Sequence, residues 1–225
     1  MGKGAKKISP FFVSVTLVLA VTVAIIIGVI STGNAKIIFK SEYYFVCFAT
    51  RDNALSADAI SDTVSSYGGA GYVLEYDGKY FVTVACYYTE KEADKVRQTL
   101  LKRGLQCSVL EIETDEYSLQ SAAAKRREKL FLGNLNTLNS LSRLCYECAN
   151  GLDTGEYSQS AAKSVLRDVK SGLEGLRSAN VENCFSGELR RLIAECEAIS
   201  GYIMSKDMRK LQIAITDTVI NIELY

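Results

Sequence analysis

The chain has 225 residues, 48% of them apolar, with 26 basic and 26 acidic side chains, so it can bury one or two small cores and carries no net charge. It contains no His, which removes the commonest metal ligand and excludes Ser-His-Asp and Cys-His catalysis. Charge is uneven: residues 1–41 hold five Lys and no acid, whereas 42–113 hold eleven acids against seven bases. That acidic stretch offers no footprint for a phosphate backbone, which excludes nucleic acid as a partner.

At the N-terminus, Lys3, Lys6 and Lys7 precede an uncharged run from Pro10 to Ile30 that includes Phe11-Phe12-Val13, Leu17-Val18-Leu19 and Ile25-Ile26-Ile27. At about 1.5 Å per residue, roughly 20 such residues reach about 30 Å, the depth of one hydrocarbon core. The run is longer than a signal-peptide core of about 7–15 residues. The expectation is a cytoplasmic tail at 1–9 and a transmembrane anchor at 10–31. The protein is then single-pass in the cell membrane, with its C-terminal domains extracytoplasmic because the basic residues before the run favour that orientation.

Residues 42–113 contain an internal repeat. Tyr44-Phe45-Val46-Cys47-Phe48-Ala49 recurs 36 positions later as Tyr80-Phe81-Val82-Thr83-Val84-Ala85, and Ala57-Asp58, Thr63, Gly68 and Val73-Leu74-Glu75 recur at the same offset. A fixed period means one supersecondary unit used twice. Each copy reads strand, helix, strand. An aromatic and β-branched run gives way to polar turn residues. A helix comes next with its stripe at Ala57, Ile60 and Val64, or at Ala93, Val96 and Leu100. Gly68 or Gly104 then closes it. Thr89 is a helix N-cap, with Glu90 and Glu92 in the positive first turn. Asp77-Gly78 joins the copies as a two-residue hairpin. The order β-α-β-β-α-β predicts an antiparallel sheet with strands one and three central and both helices on one face.

Strand alternation divides the side chains between faces. Tyr44, Val46 and Phe48, with Tyr80, Val82 and Val84, are expected to meet the helices. Phe45, Cys47 and Ala49, with Phe81, Thr83 and Ala85, are expected on an open face. Two Phe on adjacent central strands of an uncovered sheet would form an apolar contact patch.

These strands, Ala57, Gly68 and the helix opening Thr89-Glu90-Lys91-Glu92-Ala93 resemble the SPOR domain, the sporulation-related, peptidoglycan-binding repeat of bacterial division and sporulation proteins. The resemblance spans about 70 residues. It implies a noncatalytic, membrane-anchored protein of the cell envelope that binds denuded glycan strands and acts in cell division or sporulation, with cell-wall or division proteins as further partners. Carried over by position, Phe45, Cys47, Phe81 and Thr83 would line the glycan face, with Tyr87 and Arg51 at its rim. Cys47 and Thr83 stand where the family has polar signature residues, and Ala49 and Ala85 where it has Gly. A membrane-anchored extracytoplasmic protein-interaction scaffold that has lost glycan binding is the alternative.

Residues 117–225 turn to Leu, Ala, Ser and charges at helical spacing. Four amphipathic helices are expected, at about 118–149, 156–178, 186–199 and 205–222, with Asn150-Gly151 beginning the first loop. Short loops favour an antiparallel bundle. Cys145 and Cys148 read as apolar filler rather than zinc ligands. The whole predicts an α+β protein: a transmembrane helix, a SPOR-like domain at 42–113 with the ferredoxin- or RNP-like order, and a helical bundle at 117–225. No catalytic residue, metal or cofactor is expected.

Overall fold

The computed structural model describes residues 41–114, 124–179 and 185–223. The first part runs β1 (Glu42–Arg51), α1 (Ala54–Ser66), β2 (Tyr72–Tyr76), β3 (Lys79–Tyr87), α2 (Glu90–Lys102) and β4 (Ser108–Glu113). The strands form one antiparallel sheet in the order β2-β3-β1-β4. Local chemistry sets the boundaries. Asn53 caps α1, its side-chain oxygen accepting from the Ser56 amide at 2.9 Å, and Thr89 caps α2 by accepting from the Glu92 amide at 3.3 Å. Asp77 and Gly78 both take positive φ, 49° and 69°, which gives the hairpin the twist its strands require.

Helices α1 and α2 cover one face. Ala57 and Val64 pack on Val82, and Ala93 packs with Tyr44 and Val46. Four further helices follow, α3 (Ala124–Thr154), α4 (Gln159–Ala179), α5 (Phe185–Ala198) and α6 (Ser205–Glu223), and α3 and α6 lie against the other face. Helices α3 and α6 pack along one another, and α6 also touches β2 and β3. One continuous hydrophobic cluster runs from Tyr43, Phe45 and Leu74 of the sheet into Leu138, Leu173 and Leu211 of the helices.

Three expectations need correction. First, the fold class: the described architecture is a four-stranded antiparallel sheet with six helices, and among the described residues no helix is long and apolar enough to cross a membrane. The predicted transmembrane anchor at 10–31 and tail at 1–9 lie outside the described residues. The expected single-pass location in the cell membrane, with extracytoplasmic domains, falls with that finding.

Second, strand alternation breaks. The β1–β3 register shifts between Val46 and Cys47 and again between Cys47 and Ala49. Val46 faces Ala85, Cys47 faces Thr83 and Ala49 faces Val82. The irregularity reverses the parity of the residues beyond it. Ala85 and Tyr87 therefore join the α2 side, Ala49 joins the α1 side, and Cys86 turns to the bundle.

Third, Asn150-Gly151 does not open a loop. Helix α3 continues to Thr154, and the chain turns at Gly155, with φ of 76°. Gly151 is instead a packing position: a Cβ there would lie 2.7 Å from the Tyr157 ring.

Phe45 is 0% exposed, so Phe45→Ala is expected to cost about 3–5 kcal/mol in urea denaturation. Loss of an uncovered Phe would change stability by only about 0.5 kcal/mol.

Candidate functional site

The sheet surface that faces α3 and α6 is the face expected to be open, and it is closed. Phe45, Cys47 and Thr83 are 0%, 1% and 0% exposed. Phe81 is half-buried and packs against the same cluster. These four are brought together, but beneath helices rather than toward solvent. Tyr87 sits on the opposite side of the sheet, packed with Tyr44 and Val46, its ring edge-on to Tyr146 at 6.0 Å between centroids. Arg51 ends β1 in solvent and donates from Nη1 to the Thr50 carbonyl at 2.7 Å. The expected rim pair is therefore split.

Most polar groups sealed with this face find partners, the exception being Gln212 Oε1, which has none among the described residues. Tyr43 donates its hydroxyl to Asn139 Oδ1 at 2.6 Å. Tyr88 and Ser142 share a hydrogen bond of 2.8 Å, and Ser142 reaches Thr216 Oγ1 at 2.8 Å. Gln212, 0% exposed, donates from Nε2 to the Cys86 carbonyl at 3.0 Å. Thr83 spends its hydroxyl on the Tyr72 carbonyl at 2.9 Å. Such bonds matter because an unmet polar group in a dry interface is costly. Around Tyr88, Arg143 lies over the ring at 4.2 Å, and the Tyr43 and Tyr146 rings stand edge-on at 6.2 and 5.5 Å. This aromatic corner clasps α3 to the ends of β1 and β3.

At the far edge, Tyr72 donates its hydroxyl to Asp217 Oδ2 at 2.5 Å, and Asn221 donates to Asp217 Oδ1 at 2.8 Å. Burial pushes the Asp217 carboxyl above its ordinary range, opposed by the Tyr72 hydroxyl and the Arg191 charge. Burial likewise pushes the Tyr72 phenol up. These groups tie β2 to α6 and face each other, not a cleft.

The cysteines behave as packing residues. Burial pushes the Cys47 thiol up to about 12 and raises Cys86 and Cys145 as well. Among the described residues no group of three or more His, Cys, Asp or Glu side chains is placed to hold a metal; Cys184 lies outside them.

Sequence reasoning missed the helix residues that close the face: Asn139, Ser142, Met208, Gln212 and Asp217. One signal was available. Tyr43 to Cys47 are five consecutive buried residues, and an apolar run without alternation marks a strand covered on both sides.

No protein-family model and no curated protein matches the chain. It is similar to the solution structure of the peptidoglycan binding domain of the B. subtilis cell wall lytic enzyme CwlC, with 22% identity and a TM-score of 0.28, over 32% of this chain and 91% of that domain. At that level the likeness carries no functional argument.

The folded state holds the Asp217 proton more tightly than the unfolded chain does. Stability is therefore expected to fall as pH rises from about 4 through the raised value. Asp217→Asn should reduce the slope of that part of a plot of urea midpoint against pH, leaving the slope of same sign from Glu195, whose carboxyl burial also raises. In native protein, Cys107, the half-buried one of the six described cysteines, is expected to react first with iodoacetamide. Mass spectrometry of the partly alkylated chain checks the order.

Proposed function

We propose that this chain is a noncatalytic binding protein of the interaction-scaffold kind, in which the SPOR-like sheet is a platform for the protein's own helices and partners meet the outer surface. The burial of Phe45, Cys47 and Thr83 beneath α3 and α6 carries this reading. A glycan strand needs aromatic faces and free hydroxyl-bonding groups at the surface. Here the aromatic faces are in the core, and the Thr83 hydroxyl is bonded to backbone.

A second reading is favoured by the 36-residue repeat of Tyr44–Ala49 in Tyr80–Ala85 and by the β2-β3-β1-β4 order. In it the module binds denuded peptidoglycan strands in division or sporulation through Phe45, Cys47, Phe81 and Thr83. That binding requires α3 and α6 to leave the sheet.

Sedimentation of the full-length protein with intact and amidase-treated peptidoglycan separates the two. The scaffold reading expects no preference for the denuded material and no change on Phe81→Ala. Retention specific to denuded strands and lost in Phe81→Ala would overturn it in favour of the second.

A further inference from the structure

Two clefts of about 320 and 330 Å³ share Ile203 as a wall. The first lies between the end of α1 and the start of α6, with Leu152, Tyr202 and Met204 on its sides. The second lies between α4 and the α5–α6 loop, with Leu166 and Ile199 as its apolar floor. They flank the 199–204 loop on either side of the buried Ile203, and this pair of clefts is termed the groove.

The loop at the centre of this groove is firmly held. Gln159 donates from Nε2 to the Ile203 carbonyl at 2.8 Å, and its Oε1 accepts from the Ile203 amide at 2.9 Å. Asp207 accepts from the Met204 amide at 2.9 Å. Yet this fixed loop presents Tyr202 at 73% and Met204 at 44% exposure. A pinned backbone showing an aromatic and a thioether has little entropy left to lose on binding, and both side-chain types are enriched where proteins meet.

The charge along the groove has one sign to spare. Lys163, Leu166, Arg167 and Lys170 line it at i, i+3, i+4 and i+7 of α4, one helical face. Lys170 is paired with Glu197 at 2.8 Å and Glu174 at 3.7 Å. Lys163 and Arg167 are exposed and have no ion pair among the described residues. Lys206 adds a third cation at the other cleft, its Nζ donating to the Ser65 carbonyl at 3.1 Å.

From this combination we infer that the groove docks an acidic, apolar-anchored peptide segment of a partner protein. The carboxylates meet Lys163 and Arg167, and the apolar anchors rest on Leu166, Ile199 and Met204. A neutral saccharide is the poorer match, because it brings no charge to meet Lys163 and Arg167. The inference rests on the scaffold reading and names the chemistry of its partner.

The test is fluorescence anisotropy of full-length protein with a fluorescein-labelled helical peptide of Glu, Leu and Ala. Binding should weaken at least about tenfold in Lys163→Glu/Arg167→Glu, weaken several-fold in Tyr202→Ala, and fall with added salt. It should be unchanged in Lys95→Glu, which reverses an exposed charge on α2. Absence of binding overturns the inference, as does equal weakening by Lys95→Glu. Displacement of the peptide by denuded glycan would assign the groove to saccharide and overturn it too. Phe81-dependent retention on denuded peptidoglycan would instead remove the scaffold reading, a result distinct from any of these anisotropy outcomes.

Discussion

The structure depends on β1 being covered on both sides. From Tyr43 to Cys47 every residue is buried, so the strand is the middle layer of three rather than the surface of two. Covering Phe45 alone is worth about 1.5–3 kcal/mol by transfer from water. Leu74, Cys86 and Ile112 join the same cluster. Without α3 and α6 these side chains would form an exposed apolar patch. Without the sheet, α6 would lose the cover that β2 and β3 give it. Each half supplies the surface that the other needs.

Apolar burial is not directional, so it cannot by itself set how the helices lie on the sheet. The polar groups in the seam supply that specification. Tyr43 with Asn139, Tyr88 with Ser142 and Thr216, and Gln212 with the Cys86 carbonyl act at different points on the face. Rotation of α6 about its axis would break the Gln212 bond and separate Tyr72 from Asp217 together, because both residues stand on that helix. Buried polar networks make such errors expensive. The register irregularity in β1 and β3 belongs to the same arrangement: it turns Cys86 toward the bundle, where its carbonyl meets Gln212.

Much of the sheet module could be read from residue order. Thr89, Asp77-Gly78 and the stripes Ala57–Val64 and Ala93–Leu100 are short-range signals, and the elements they bound stand where those residues place them. The illegible part is long-range. No pattern within β1 or β3 announces the irregularity opposite Val46–Ala49, so alternation assigned Ala85 to the wrong face, and the resemblance set Tyr87 at the rim of the expected open one. The bundle's first loop was misplaced because Asn-Gly is a strong turn signal in isolation. Here a tertiary contact, the Tyr157 ring against Gly151, gives the glycine a packing role inside a helix. The candidate site suffered most, since whether a face is open depends on residues 54 to 126 positions away.

That dependence bears on how far a repeated strand motif speaks to function. Tyr44–Ala49 and Tyr80–Ala85 encode a pleated, apolar surface; they do not encode what rests on it. Function resides in sites rather than folds, and a face serves a ligand only while nothing else occupies it. In this chain the occupant is covalently attached and hydrogen-bonded at several points, so a ligand would have to displace a core rather than water. At the loop held by Gln159, by contrast, Tyr202 is exposed, and Lys163 and Arg167 have no ion pair among the described residues. Burial of the sheet and exposure of that loop are two consequences of the same packing, because α6 closes the face with one side and begins at the groove with its first turn.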